Sequence, residues 1–410
     1  MLINLRNALM SGKRLPYDAE VEFLQSTGTQ YIDTGFNADR STVVKCAFSV
    51  VSRATNGYVV WGAGKGDGAS GLYDAVALAE KYNNPSTLHL LDTYNNNNAQ
   101  SISYGQDLLV DCVLSDGSIT INGTTTSHNY YTLNRTADYP IWVFGENLAG
   151  NLFRPSKIKL IFLQIWQNGV LFRDYIPVRR GTTGYLYDRV SGKLFGNAGS
   201  GDFVLGPDVV PVEYIESHGT EYINTGIILN DTYGIDINFA PMETASGVSE
   251  HGIFGSSVSG TGIRHNVLQI HSSANGVGLW MPSNTRICNY AITIGEYQHW
   301  QINLSDSDEV VVDNVLKAYT HPTTPAECQY PVYLFGRNVA NTLKSGSCSK
   351  MRLATWKVCD GSGNPIQKWL PVRVSTEGAM MDVLTRRIYR NAGTGAFGYG
   401  NDLKYPIPAE

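Results

Sequence analysis

Hydrolysis of a glycoside needs two carboxyl groups flanking the bond to be cut, about 5 to 9 Å apart. This chain has 36 acidic residues against 31 Lys and Arg, but they are scattered. The densest group, Ser305-Asp-Ser-Asp-Glu309, stands just before a β-branched run and reads as a solvated turn. Metal chemistry has a thin case as well. His265 and His271, with Arg264 beside the first, would share one face of a strand, yet no third ligand stands near them. Cys46, Cys112, Cys288, Cys328, Cys348 and Cys359 contain no Cys-x-x-Cys pair. They are expected to be thiols, with a bridge among the last four left open. Gly62 to Gly68 has the glycines of a phosphate cradle but no following Lys-Ser or Lys-Thr and no helix, so it reads as a flexible loop.

Binding chemistry is better represented. Sugars stack on flat rings rimmed by hydrogen-bonding groups. Tyr73, Tyr82 and Tyr94 with Asn95, Asn96 and Asn97, and Trp280 with Asn275 and Asn284, are the candidates for such contacts. They fall in stretches that differ between two otherwise parallel halves of the chain, and loops freed from scaffolding are where contacts with a partner can form. Asp33 and Asn224 hold equivalent places before Thr-Gly and are expected to close their own turns. Arg179 precedes Asp188, and Arg373 precedes Asp382, by nine residues. Each pair is expected to be a structural ion pair tying a closing hairpin.

The halves are two copies of one unit. Ser26-Thr-Gly-Thr-Gln-Tyr-Ile-Asp-Thr-Gly35 answers Ser217-His-Gly-Thr-Glu-Tyr-Ile-Asn-Thr-Gly226, and Tyr139-Pro-Ile-Trp-Val-Phe-Gly-Glu-Asn147 answers Tyr330-Pro-Val-Tyr-Leu-Phe-Gly-Arg-Asn338. Both pairs are offset by 191 residues (336 − 145 = 191). Later matches, Arg179 with Arg373 and Asn197-Ala-Gly199 with Asn391-Ala-Gly393, are offset by 194 (373 − 179 = 194). One matched site reverses its charge, Glu146 against Arg337. No cysteine position is shared.

Within each copy, short runs rich in β-branched and aromatic residues alternate with Gly, Asn and Asp, the pattern of strands and turns. Ser118-Ile-Thr-Ile-Asn-Gly123 is the clearest hairpin signal. Helix is expected only at the start, where Leu2, Leu5 and Leu9 recur at helical spacing before Gly12 and Pro16. The expected organisation is an attachment segment over 1–18, domains over 19–208 and 209–400, and a tail over 401–410. The linker Gly206-Pro-Asp-Val-Val-Pro211 is short and stiffened by two prolines.

At 410 residues the chain suits two domains, and its formal charge of −5 without a basic stripe argues against nucleic acid. No apolar run approaches the roughly 20 residues that span a bilayer. The first residues lack the apolar core of a secretory signal. The chain is therefore expected to stay where it is made, to leave by another route such as release in a virus particle, or to have been trimmed.

The Ser26 to Gly35 phrase, together with Arg173-Asp-Tyr-Ile-Pro-Val-Arg179 and Gly184-Tyr-Leu-Tyr-Asp-Arg-Val-Ser-Gly-Lys-Leu-Phe-Gly-Asn-Ala-Gly199, resembles the concanavalin A-like, laminin-G-like jelly-roll domains, in a variety frequent in gut bacteria and their phages. The likeness covers both units. It implies an all-β protein, two tandem jelly-roll β-sandwiches after a short N-terminal helical segment. It also implies loops around a concave sheet that could meet sugars or proteins, with calcium bound in some relatives. Hydrolases of that fold carry Glu-x-Asp-x-x-Glu on one strand, and no such string occurs here. The expectation is a non-catalytic carbohydrate- or surface-binding protein, on a virion or outside the cell, joined through residues 1–18 to a larger assembly or another copy. A purely structural virion component and a glycoside hydrolase are the alternatives.

Overall fold

The computed structural model describes residues 15–52, 57–65, 74–80, 86–91, 99–127, 136–244, 250–258, 264–271, 276–280, 286–304, 309–318 and 329–403. The expected N-terminal helix, the acidic turn before Glu309 and residues 404–410 of the expected tail lie outside them. The described residues contain strands and turns and no helix. Their contacts form two compact units, the first ending at Val209 and the second beginning at Val210.

In the first unit a larger antiparallel sheet runs in the order Thr124–Thr126, Ser118–Ile121, Asp107–Val113, Thr42–Ser52, Lys157–Gln167, Val170–Arg180, Thr183–Asp188 and Lys193–Phe195. A smaller sheet runs Ile32–Asp33, Trp142–Val143, Val59–Lys65, Asp74–Glu80, Thr87–Leu91 and Gln100–Ser101. The second unit repeats this order strand for strand. Its smaller sheet runs Ile223–Asn224, Tyr333–Leu334, Glu250–Ser257, Arg264–His271, Gly276–Trp280 and Arg286–Ala291. Its larger sheet is centred on Gly234–Pro241 and Lys350–Cys359. One apolar core fills each sandwich, around Phe48, Trp61 and Phe144 in the first and Phe239, Phe254, Trp300 and Trp356 in the second. Cys46, Cys112, Cys348 and Cys359 are free, and the first three are buried.

Turn chemistry sets the hairpins. Asn122 and Gly123 both take positive φ, 48° and 85°, as a type I′ turn demands, and Asp313 and Asn314 do the same in the second unit. The glycines of the expected loop after Trp61 behave otherwise. Gly62, Gly64 and Lys65 belong to the strand Val59–Lys65. A Cβ at Gly62 would lie 2.5 Å from that of Ala77. These glycines therefore let neighbouring strands approach and do not loosen a loop.

The duplicated phrases are scaffold. The Ser26 hydroxyl and Thr27 N–H donate to Gln30 Oε1 at 3.1 and 2.8 Å. In the second unit Ser217 and the His218 N–H donate to Glu221 Oε2 at 3.1 and 2.8 Å. Gly28 and Gly219 bend the chain with φ of 107° and 103°. Thr34 and Thr225 donate to the Ile141 and Val332 carbonyls. Asp33 and Asn224 accept from the N–H of Gly35 and Gly226, the turn-closing role expected of them. Asn147 and Asn338 donate to the Pro140 and Pro331 carbonyls. Phe144 and Phe335 sit at φ of 72° and 62°, a costly conformation for a bulky side chain, held where their rings pack on Phe203 and Phe397.

Gln30 and Glu221 differ in charge within this shared frame. Burial pushes the Glu221 carboxyl up, but the N–H groups of His218 and Thr220 and the Ser217 hydroxyl outweigh it, so its pKa lies below the usual value. A carboxylate depressed in the folded state stabilises above its unfolded pKa and loses that contribution as pH falls through the folded one. Glu221→Gln should therefore destabilise the second unit at pH 7. The gap should narrow as the pH falls below the ordinary glutamate range and through the depressed pKa of the folded protein, where Glu221 in the parent becomes protonated. Denaturant midpoints of both proteins between pH 7 and pH 3 check this; a gap that widens on acidification contradicts it.

The expected ion pairs require correction. Strand register places Arg179 opposite Gly184 and Asp188 opposite Tyr175, so the two side chains stand four residues apart along the hairpin. Arg373 and Asp382 are separated in the same way, opposite Gly378 and Trp369. Arg179 instead grips Asp208 with two bonds of 2.7 and 2.6 Å, and Arg373 grips Asp402 at 2.6 and 2.7 Å. Both clamps tie the chain leaving the unit back to its closing hairpin. Asp188, fully buried, accepts from the Asp174 and Val190 N–H groups and from Ser191, with Arg173 at 3.7 Å. Asp382 accepts from the Lys368 and Leu384 N–H groups and from Thr385. Asp208→Asn, in a partly exposed pair, should cost at most about 1 kcal/mol. Asp188→Asn should cost about 2 kcal/mol, since its amide nitrogen would face donors in a buried site. Equal losses in urea unfolding would contradict the assignment.

Candidate ligand-binding faces

Each smaller sheet has an inner face on the core and an outer face. In the first unit Val76 and Leu78 point inward, and Val59, Ala77, Ala79 and Leu91 form a separate apolar cluster on the outer side. One row across this outer face reads Asp33, Trp142, Gly62, Ala77, Leu91. The matching row in the second unit reads Asn224, Tyr333, Gly255, Val267, Trp280. Tyr31 stacks on Trp142 with ring centroids 4.0 Å apart, and Tyr222 on Tyr333 at 4.9 Å. The next row exchanges partners: Val59, Ala79 and His89 become Gly252, Gln269 and Gly278. His89 and Gln269 are both buried, at 3% and 0% exposure.

The charge reversal seen in the sequence lies on this face. Glu146, fully buried, lies over Gly64, where a Cβ would collide with its carboxylate. In the second unit Ser257 stands in place of that glycine and accepts from Arg337 Nε at 3.1 Å. Arg337, 1% exposed, also pairs with Glu250 at 3.0 Å, and Lys344 reaches the same oxygen at 2.9 Å. One unit thus carries a buried carboxylate where the other carries a buried guanidinium braced by an acid and a lysine. Nearby, Lys65 pairs with Asp138 at 3.0 Å beside a shallow pocket lined by Ala75, Ala137 and Tyr139. Its volume of about 10 Å³ suits a single water.

Acid pairs suited to hydrolysis are not built into the central strands. Among the described residues their outward positions hold Gly62, Gly64, Ala75, Ala77 and Ala79 in one unit, and Gly252, Gly255, Ser257, Val267 and Gln269 in the other, with one acid, Glu250, paired to Arg337 and Lys344. Glu80 points inward to the core's end, where it accepts from the Tyr104 hydroxyl and the Ser86 N–H. Burial, reinforced by Glu80, pushes the Tyr58 phenol well up. Among the described residues no group of three His, Cys, Asp or Glu could hold a metal ion.

Of the residues singled out in the sequence, Tyr73, Tyr82, Tyr94, Asn95, Asn96, Asn97, Asn275 and Asn284 lie outside the described residues. Trp280 is described and is 3% exposed, packed into the outer row and not presented as an open platform. His265 and His271 lie on the strand Arg264–His271. Sequence reasoning passed over Glu250, Lys344, His89 and Gln269, whose only signal was mismatch between copies. It also passed over a group on the second unit's larger sheet, the half-buried Tyr214, Glu216 and Arg352 with the exposed Tyr297. The Arg352 guanidinium lies 4.4 Å over the Tyr214 ring and donates to Glu216 at 2.7 Å.

Two antiparallel sheets closed over one core, with the strand order described for each unit, define a concanavalin A-like, laminin-G-like jelly-roll sandwich. Solved structures similar to this chain include domains LG4-5 of the mouse laminin alpha1 chain, at 12% identity and TM-score 0.29, covering 87% of this chain and 92% of that one. A candidate carbohydrate-binding protein from Bacteroides ovatus aligns at 8% identity and TM-score 0.31, over 97% and 96%. The NanB sialidase of Streptococcus pneumoniae aligns at 8% and 0.25, over 93% and 76%. No family model matches the chain, and no curated protein matches it. The fold assignment rests on the strand order itself.

Proposed function

We propose that the chain is a non-catalytic recognition protein whose two sandwiches bind carbohydrate, or another surface feature, through positions the copies do not share. The observation that carries this reading is the separation of roles within one fold. Side chains that close turns and clamp hairpins keep the same bonding roles in both units, even where Gln30 becomes Glu221 and Asp33 becomes Asn224, while the smaller sheet's outer face exchanges Glu146 for Arg337 and His89 for a glycine. Constraint on the scaffold with divergence on one face is what selection on a partner leaves behind. The outward positions of the central strands, small or apolar apart from Ser257, Gln269 and a single acid, Glu250, that is paired to Arg337 and Lys344, favour recognition over hydrolysis. Work on a virion or outside the cell, in a larger assembly, is part of the same proposal and draws on the sequence resemblance. A glycan microarray probed with the full chain tests it. Binding to at least one glycan class, weakened about tenfold by Lys344→Ala at the rim, is expected. Retention at fixed stoichiometry in purified particles with no glycan bound would favour a purely structural role instead, and release of reducing sugar would favour a hydrolase.

A further inference from the structure

On the outer face of the second unit's larger sheet, one row crosses three strands. Glu216 stands opposite Arg352, and Arg352 opposite Ala240. Phe239 faces Gln298, so the residue before it, Tyr297, continues the row on the far side of Ala240. Strands are about 4.8 Å apart, which puts Arg352 and Tyr297 roughly 10 Å apart at their backbones with only a methyl group between. Ala240 is fully buried, and Arg352 acts on the Tyr297 phenol from the other side of it. Tyr297 is 42% exposed. Arg352, Tyr214, Glu213 and Glu216 all act electrostatically on its phenol, which burial holds up at about 12, so it stays a neutral donor and acceptor.

The guanidinium is fixed from two sides. Tyr214 lies beneath it, and Glu216 takes its Nε–H, leaving the terminal nitrogens for a further acceptor. Tyr214 is itself backed by Gly400, where a Cβ would come within 2.8 Å of the ring. The result is a partly exposed plate of guanidinium and phenol edged by a carboxylate. It offers a flat apolar surface beside one strong acceptor and several donors.

We infer that Tyr297, Arg352 and Glu216 form a binding subsite for a neutral pyranose, its C–H face on Tyr297 and two adjacent hydroxyls shared between Glu216 and Arg352. The charge balance favours neutrality: Glu216 offsets Arg352, Glu213 adds a second carboxylate acting on Tyr297, and Lys350, two residues from Arg352, is drawn to Glu243 at 3.9 Å. The first unit provides an internal comparison. Phe23 and Lys159 keep the ring and cation, 4.5 Å apart. Gln25 replaces the carboxylate by register, and Asp107 takes the place of Tyr297, because Leu108 faces Phe48 as Gln298 faces Phe239. That copy has no phenol in the row and no carboxylate beside the cation, its one acid, Asp107, standing where the phenol would be, so it should not bind a sugar there.

The test is a titration of the full chain with glucose, galactose, mannose and N-acetylglucosamine, followed by ligand-observed saturation transfer NMR and by tyrosine fluorescence. At least one should bind with a millimolar Kd. Tyr297→Ala should weaken it at least tenfold, as should Glu216→Gln, while Asp107→Ala leaves it unchanged. Tyr297→Phe, which keeps the ring, should retain binding within about threefold and guards against misreading a folding defect. Affinity unchanged by both Tyr297→Ala and Glu216→Gln, or no binding of any of the four sugars at 50 mM, overturns the inference. A microarray signal that survives Tyr297→Ala but falls with Lys344→Ala would sink this subsite and leave the proposed function standing.

Discussion

Arg337→Met should destabilise the second unit by about 3 to 5 kcal/mol, the usual consequence of removing one partner from a buried ion pair. Arg337 is 1% exposed and Glu250 side-chain exposure is 10%. Deleting the guanidinium removes the Arg337 bond from Glu250, which keeps its bond from Lys344, and takes from the Ser257 hydroxyl the donor it accepted, though that hydroxyl still donates to the Asn338 carbonyl. Desolvation, already offset in the parent, then goes largely uncompensated. Neutralising both partners separates charge from packing: Arg337→Met with Glu250→Gln should recover at least half of the loss. Urea unfolding of the full chain, read by fluorescence of Trp300, Trp356 and Trp369, all buried in the second unit, reports it. If the single and double variants lose the same stability, the network is not what holds this face.

Gly199→Ala and Gly393→Ala should each cost about 2 to 4 kcal/mol, and by similar amounts, although they lie in different units. A Cβ at Gly199 would overlap the carbonyl oxygen of Thr29, and one at Gly393 would overlap that of Thr220. Backbone, unlike a flexible side chain, cannot step aside without breaking the neighbouring bonds, such as Ala198 N–H to Tyr31 and Ala392 N–H to Tyr222. At each place Asn197 or Asn391 also accepts from the glycine N–H at 2.8 Å, fixing the turn that the methyl would push out. Thermal unfolding of the two variants checks the pair. A loss in one unit without a loss in the other would contradict a scaffold held in duplicate.

Sequence reading went furthest where local chemistry and duplication agreed. The Asn122-Gly123 hairpin and the turn-closing roles of Asp33 and Asn224 were legible because each rests on residues close in the chain. The Arg–Asp clamps were misread for the opposite reason. Arg179 and Asp208 are 29 residues apart, and only the hairpin register shows that the aspartate nine residues away points elsewhere. The glycines after Trp61 were taken as a loop, since composition cannot tell a flexible glycine from one flattened by a neighbouring strand. Trp280 was chosen for mismatch between copies, and mismatch alone does not say whether a ring is exposed. The plate at Tyr297 was invisible because Glu216, Ala240, Tyr297 and Arg352 come from four separate strands or their ends.

Hydrogen exchange of the full chain, with and without a glycan that it binds, tests the central claim most directly. Matched positions build the sandwich and unmatched ones meet the partner, so added protection should gather at the unmatched strands and flaps, around Glu250–Ser257, Arg337 to Lys344 and Tyr297, while Ser26 to Gly35 and Ser217 to Gly226 change little. Protection confined to those two duplicated phrases, or spread equally over the corresponding residues of both units, would contradict it.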